Sequence, residues 1–237
     1  MAYDDRLRNS VPAELLEAPL RGVALVGKLG PAALRGWEKV HVPVVLADHP
    51  GGSWKLHAAG VDNAGATREA VRRLLALGHR RMAFVRRVHT FGVHDVEPDS
   101  RERQKVFLAA LEEAGMSGAE AAVYSVFAQD TAAAPGIAAL FTQTPRFTAV
   151  LAADAGCAGL VREAARARGL HVPRDLSLVT YEPLGPREPF FAGPRFDFRE
   201  VGRRAARLAG APRVPSQRVR VPGVWADGKT LALARET

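Results

Sequence analysis

The chain has 237 residues, of which 47% are hydrophobic, 7% aromatic and 24% charged. These fractions exclude a disordered chain, and a single cysteine excludes a disulfide-stabilised scaffold. The formal net charge of +8 raises the question of nucleic-acid binding, but the arginines are scattered in ones and twos. We therefore interpret the charge as a solvated surface.

The sequence carries no sign of a membrane segment or a secretion signal. No apolar run approaches the roughly 20 residues that a membrane helix needs. The first residues, MAYDDRLRNS, are polar and lack the apolar core of a signal peptide. These features predict a cytoplasmic protein without a membrane partner.

Short apolar runs alternate along the chain with helical patterns, which is typical of right-handed βαβ units. The predicted strands are Val23–Val26, Val42–Ala47, Met82–Val85, Ala122–Phe127, Thr148–Ala152 and Leu176–Thr180. The predicted helices are Asn63–Leu77, Arg101–Ala114, Gly156–Arg168 and Phe198–Leu208. We expect an α/β protein with parallel sheets, in which the loop-like segments His49–Gly60 and Pro183–Pro194 separate two lobes.

Three carboxylates directly follow predicted strands: Asp48, Asp154 and Glu182. In parallel α/β sheets, ligands bind outside the carboxyl ends of the strands. Each carboxylate on its own is equally explained as a helix cap or a turn residue. The three together favour a polar ligand site.

Arg103 lies on the apolar stripe of its predicted helix, in line with Phe107 and Ala110. An inward-facing charge is costly unless it is paired or reaches into a cleft, although an arginine at a helix end can also extend to solvent. An arginine among carboxylates suits a small ligand with many hydroxyl groups, because arginine donates hydrogen bonds and carboxylates accept them.

No catalytic, metal or cofactor motif stands out. Gly22–Lys28 has the spacing of a phosphate-binding loop, but the residues between the glycines have the pattern of a strand. His89, His94 and Asp95 lie close together without a further ligand set, and we interpret them as solvated. Cys157 is interpreted as a packing residue. We therefore predict no enzyme, no catalytic residue, no metal and no cofactor.

Several segments resemble the lactose/galactose-repressor (LacI/GalR) family of transcription regulators. They are VDN at Val61–Asn63, GHRRMAFV at Gly78–Val85, SRERQKVFLAALEEAG at Ser100–Gly115, and Gly169–Glu182, which is similar to the family stretch GLRVPEDVSVVGYD. The similarity extends from about Leu20 to the end of the chain, with the motifs in the family's order.

The resemblance implies a two-lobed, periplasmic-binding-protein-like type I fold with a truncated amino-terminal lobe. Residues 1–60 with 191–214 are expected to form that lobe, and residues 61–190 with 215–237 the other. The family's effector contacts correspond here to Asp48 with His49, Arg103, Asp154 and Glu182.

The expected function is that of a module that senses a sugar- or nucleoside-like effector, as a homodimer. DNA binding is expected only through a helix-turn-helix that these residues do not contain. Two alternatives stay open at this point. One is the solute-binding protein of a transport system, and the other is an α/β enzyme that uses the carboxylates for acid–base chemistry.

Overall fold

The computed structural model describes residues 10–27, 29–89, 95–96, 98–116, 121–127, 130–144, 146–182, 190–211 and 215–235. The helices are α1 Ala13–Glu17, α2 Pro31–Trp37, α3 Asn63–Ala76, α4 Pro98–Glu113, α5 Pro135–Leu140, α6 Ala155–Ala167 and α7 Phe198–Ala209. The strands are β1 Val23–Val26, β2 Val44–Ala47, β3 His57–Val61, β4 Met82–His89, β5 Asp95–Val96, β6 Ala121–Phe127, β7 Ala149–Ala152, β8 Ser177–Thr180, β9 Gly193–Arg195, β10 Arg218–Val221 and β11 Val224–Ala226.

The chain divides into two units, each built from separate segments. Unit 1 comprises Met1–Asp62 with Asp197–Pro222, and unit 2 comprises Asn63–Phe196 with Gly223–Thr237. The last boundary differs from the expected one at residue 214, because β10 pairs with β3 and therefore belongs to unit 1. The parallel α/β architecture with flanking helices is confirmed.

Unit 1 contains a parallel four-stranded sheet in the order β1-β2-β3-β10. Val44 and Leu46 pack on one face of the sheet with Trp37 of α2. Val45 and Ala47 are also buried and point to the opposite face, because side chains alternate along a strand. That face is covered by α7, which contacts β2 and β3.

Unit 2 contains the second sheet, in which β4 lies between β6 and β7, and β8 follows β7, all of them parallel. The short strand β5 pairs antiparallel with the last residues of β4. A separate antiparallel pair joins β9 and β11. The core between the sheet and α5 and α6 is built from small and branched side chains such as Val150, Val161 and Leu178.

Helix ends follow the sequence signals closely. Gly78 and Gly169 adopt positive φ angles of 84° and 71° just beyond α3 and α6, as the sequence predicts for C-terminal glycines. In contrast, α4 begins at Pro98, so the predicted caps Asp99 and Ser100 lie inside its first turn.

One predicted loop contains a strand. Residues 57–61, HAAGV, form β3 between β2 and β10 and are buried throughout. Their small side chains give no β-branched signal, but they allow close packing. At Gly60, an added Cβ atom would lie 2.9 Å from the carbonyl oxygen of His49. The other predicted separator falls largely outside the described residues, since 183–189 are not among them.

Candidate functional site

Three of the predicted ligand residues lie together at the carboxyl ends of the unit 2 strands. Asp154 and Glu182 each follow a strand end by two residues, after β7 and β8. Arg103 on α4 reaches the same edge, because its Nη1 atom donates a hydrogen bond of 2.7 Å to the carbonyl oxygen of Ala153.

Arg103 is held by three contacts with unit 2. Besides its bond to Ala153, its Nε atom donates to Oδ1 of Asn63 at 2.7 Å. The guanidinium lies 4.0 Å from the ring centroid of Tyr181, in a cation–π contact. A guanidinium has five N–H donors, so three have no partner among the residues that the structure describes. Arg103 is therefore oriented by the fold and retains donors for a ligand.

The partners of Arg103 are themselves fixed by hydrogen bonds. Asn63 is buried, and its amide nitrogen donates to Asp99 at 2.6 Å and to Glu102 at 3.1 Å. The hydroxyl of Tyr181 bonds to the hydroxyl of Thr67, which donates to the backbone oxygen of Asn63 at 2.7 Å. Burial raises the pKa of Tyr181 to about 12, so the phenol is neutral in the folded protein at physiological pH.

Asp154 combines a structural role with partial exposure. Its carboxylate caps α6 by accepting the backbone N–H of Cys157 at 2.8 Å. It also accepts two hydrogen bonds from Arg87, at 2.8 and 3.0 Å. Burial acts to raise the pKa of Asp154, but the bonds from Arg87 and Cys157 outweigh it and hold the pKa below its usual value. The side chain is still 37% exposed.

Glu182 stabilises the connection between β8 and β9. It adopts a positive φ of 51°, and its backbone N–H donates to the carbonyl of Pro194 at 3.0 Å. Its Oε1 atom accepts the backbone N–H of Phe196 at 2.7 Å. At least one carboxylate oxygen therefore has a structural partner, as the turn interpretation of the sequence allows.

Asp48 and His49 belong to unit 1, directly after β2. Asp48 is exposed and has a positive φ of 56°, and its backbone N–H donates to Ala59 in β3 at 2.9 Å. His49 accepts the backbone N–H of Gly51 on its Nδ1 atom at 2.9 Å. The guanidinium of Arg220 in β10 donates to the carbonyl of Pro50 at 2.6 Å, so this loop has a defined conformation.

A cavity in unit 1 does not coincide with these residues. It has a volume of about 650 Å³ and is lined mainly by apolar residues of α1, of α2 and of the segments that flank these helices. Leu20 and Val42 on its wall precede β1 and β2, so it opens at the amino ends of those strands. Asp48, by contrast, lies at the carboxyl end of β2.

The described part of the chain holds no cluster of three or more metal-ligating side chains. The candidate group of His89, His94 and Asp95 lies outside the side chains that are described. Cys157 is fully buried, and burial raises the pKa of its thiol well above the usual value. These features agree with the interpretation of Cys157 as a packing residue.

Sequence reasoning missed Asn63, Arg87 and Tyr181 as parts of the site. Asn63 and Tyr181 occur in the family-like motifs, but neither carries a charge that would single it out. Arg87 is one of the scattered arginines that the sequence pattern assigns to the solvated surface. Its position at the end of a strand that is longer than predicted, Met82–His89, was the available signal.

The family model of the periplasmic binding protein-like domain matches residues 71–230, more than half of the chain. The chain belongs to this periplasmic binding protein-like family. The predicted resemblance to LacI-type effector-binding domains is confirmed.

One curated protein that is similar to this chain is a transcription regulator. The regulator CelR of Thermobifida fusca is 33% identical over 153 residues, covering 61% of this chain and 42% of CelR. The chain therefore spans less than half of the length of this curated relative.

Two solved structures of this family show the same fold. A LacI transcriptional regulator from a Rhodococcus species aligns with a TM-score of 0.71 and 24% identity over 93% of this chain and 81% of that one. A CelR–cellobiose complex aligns with a TM-score of 0.70 and 24% identity over 92% and 68% of the two chains. Among the described residues, no helix combines the length and the apolar character needed to cross a bilayer.

Proposed function

We propose that this chain is the effector-sensing module of a LacI-type transcription regulator and that it binds a sugar- or nucleoside-like ligand. One observation carries the proposal: Arg103 is oriented at the carboxyl edge of the unit 2 sheet with three N–H donors to spare, beside the partly exposed carboxylate of Asp154. The membership of the chain in a family of effector-binding domains supports it.

The chemistry of this edge suits a ligand rich in hydroxyl groups. A sugar hydroxyl accepts a hydrogen bond from a guanidinium and donates one to a carboxylate. Arg103 and Asp154 can therefore satisfy the acceptor and the donor function of such a hydroxyl. We assign Glu182, at the same edge of the unit 2 sheet, as a further ligand contact. Asp48 and His49 stay predicted ligand residues of unit 1.

Cellobiose is the first ligand to test, because it is bound in the CelR complex that shares this fold. Isothermal titration should detect its binding, and thermal unfolding should shift upwards. A ligand at 100 times its dissociation constant stabilises the folded state by about 2.7 kcal/mol. Glucose and adenosine test smaller sugars and nucleosides.

The control is Arg103→Met, which removes the donors while retaining much of the side-chain length. We expect it to abolish the thermal shift. If neither cellobiose, glucose nor adenosine stabilises the wild-type chain, or if Arg103→Met binds as tightly as the wild type, the proposed site is refuted.

We further propose that the module has no catalytic activity and acts in the cytoplasm as a dimer. Contact with DNA is assigned to a helix-turn-helix other than the elements described here. Sedimentation equilibrium of the chain measures the dimer directly, and a monomer at micromolar concentration contradicts that part of the proposal.

A further inference from the structure

The amino ends of the unit 2 strands, opposite the edge that carries Asp154, are rich in arginine. Helices α3 and α6 end at this edge, and the carbonyl end of a helix favours a cation. An arginine here is therefore explained without a ligand wherever it bonds to those carbonyls or to a carboxylate. The described arginines of this edge are Arg80, Arg81, Arg146, Arg168, Arg174 and Arg235.

Three of these arginines have structural partners. Arg80 donates to the carbonyl oxygen of Leu75 in α3 at 3.3 Å. Arg168, just after α6, donates to a carbonyl oxygen of that helix at 3.1 Å. Arg174 pairs with the carboxylate of Asp175 at 2.8 Å. These three arginines therefore fill the ordinary roles of a cation at this edge.

Arg146 and Arg235 have no such partner. Neither forms a hydrogen bond or an ion pair with any residue in the part of the chain that the structure describes. The Nε atom of Arg146 is moreover buried, so its N–H lacks both an acceptor and access to bulk water. A buried donor without an acceptor is destabilising, and a charged one more so. The fold therefore leaves the guanidinium of Arg146 unsatisfied.

Both side chains line one shallow depression at this edge. Arg146 and Arg235 form its wall together with Arg174. The carboxyl-terminal segment brings Arg235 to this place, because Ala234 donates its N–H to the carbonyl oxygen of Leu77 at 2.8 Å. Three guanidinium groups from three separate segments thus converge on one depression.

The positive charge of this depression is not compensated from within. Asp175 is the one carboxylate among its described lining residues, and it already accepts bonds from Arg174 and from the backbone N–H of His171. The enclosed volume is about 10 Å³, which is room for a single oxygen atom. A ligand must therefore place one oxygen in the depression and its other atoms at the rim, where the arginines lie.

We propose that this depression binds the phosphoryl group of a small phosphate ligand, at a site separate from the effector edge. Guanidinium groups bind phosphate oxygens through charge-assisted hydrogen bonds, often in pairs. A carboxylate has two oxygens in one plane, whereas a tetrahedral phosphoryl group can point one oxygen inward and present the others to Arg146 and Arg235. The bound anion supplies the acceptor that Nε of Arg146 lacks and reduces the repulsion among the three arginines.

Isothermal titration of the wild-type chain with inorganic phosphate, in Tris chloride buffer near neutral pH, tests this proposal. We expect one saturable site per chain. The unfolding temperature should rise with phosphate but not with sodium chloride of equal ionic strength. Methyl phosphate identifies the source of the group: binding as tight as that of phosphate indicates a phosphate monoester, and much weaker binding indicates free phosphate.

Arg146→Gln and Arg235→Gln should each weaken phosphate binding about tenfold or more. Without phosphate, neither substitution should lower the unfolding temperature, because neither arginine has a partner to lose. Arg168→Gln is the matched control, an equal charge change at the same edge. It should lower the unfolding temperature, because α6 loses its carbonyl contact, and it should leave the phosphate affinity unchanged. Arg103→Met should leave that affinity unchanged as well.

Four results would overturn the proposal. The first is the absence of saturable phosphate binding, and the second is binding that survives both Arg146→Gln and Arg235→Gln. Equal weakening by Arg168→Gln would show only a general attraction to a basic surface. Loss of binding in Arg103→Met would place the phosphate at the effector edge instead.

Discussion

The guanidinium of Arg103 lies 4.0 Å from the ring centroid of Tyr181, a residue that is itself fully buried. The ring and the acceptor oxygens of Asn63 and Ala153 fix the plane of the guanidinium without a ligand. A side chain that is ordered in advance loses less conformational entropy when the ligand binds. Arg103 is therefore positioned as a rigid donor.

Arg103→Lys should weaken cellobiose binding by about tenfold or more, because an ammonium group cannot reproduce the planar fork. The free energy of unfolding should also fall, by about 1–2 kcal/mol, since Asn63 and Ala153 lose a charged donor. Calorimetry and urea denaturation measure the two effects. Lys105→Arg on the exposed side of the same helix is the control and should change neither.

The raised pKa of Tyr181 predicts a stability loss at alkaline pH. Below pH 10 the phenol is neutral in both the folded and the unfolded chain, so Tyr181 makes its full contribution to stability. Between pH 10 and about 12, Tyr181 ionises in the unfolded chain but stays neutral in the folded protein. The free energy of unfolding should therefore fall by about 2–3 kcal/mol over this range. Urea denaturation across this range should show the fall.

Tyr181→Phe isolates that effect from the titration of lysines and of the other tyrosines. The variant should be less stable than the wild type near neutral pH, because the bond to Thr67 is lost. The difference between the two proteins should shrink as the pH rises above 10. A constant difference would show that Tyr181 titrates normally in the folded state.

Asp154→Ser separates the helix cap from the ion pair. Serine caps helices about as well as aspartate, so the loss of stability, about 1–3 kcal/mol, should come from the two hydrogen bonds that Arg87 no longer donates to residue 154. The wild-type contribution is complete above pH 3.8 and is lost as the pH falls through the lowered pKa of Asp154. Acid unfolding curves should therefore differ between the two proteins.

Asp197→Ser is the matched control for that variant. Asp197 caps α7 in the same manner, but its side chain is 56% exposed and lies 3.5 Å from Arg203. Exposed pairs of this kind contribute about 0–1 kcal/mol, so the stability should hardly change. Equal losses in the two serine variants would contradict the ion-pair explanation.

Two glycines in unit 2 should respond to alanine in opposite ways. Gly193 has a φ of 151°, and a Cβ atom there would overlap the carbonyl of Thr180, so Gly193→Ala should destabilise the fold by about 3 kcal/mol. Gly159 within α6 has open space around its Cβ position, so Gly159→Ala should stabilise it by about 0.5–1 kcal/mol. Thermal denaturation distinguishes the two signs.

The alternation of apolar strands with amphipathic helices was enough to predict the parallel α/β architecture. Long elements with clear ends, such as α3 before Gly78, were predicted to within a residue. The strand His57–Val61 was missed because its identity depends on pairing with β2 and with β10, which comes about 160 residues later. The boundaries of the two units depend on the same long-range pairing.

The strand-end argument placed Asp154 and Glu182 at the carboxyl ends of the unit 2 strands, where the structure has them, and Arg103 reaches the same edge. Their partners could not be deduced, because Asn63, Arg87 and Tyr181 reach them from elements distant in sequence. Their role in ligand binding, like that of Asp48 and His49, stays a prediction.

The discontinuous construction of the two units has a consequence for synthesis on the ribosome. The parallel strands of unit 2 have all been made once Thr180 is complete. The unit 1 sheet lacks its fourth strand until Val221 is added, and α7 is made shortly before. Strands β1 to β3 are thus made before the sheet of unit 2, and about 160 further residues must be added before β3 is covered on its second side.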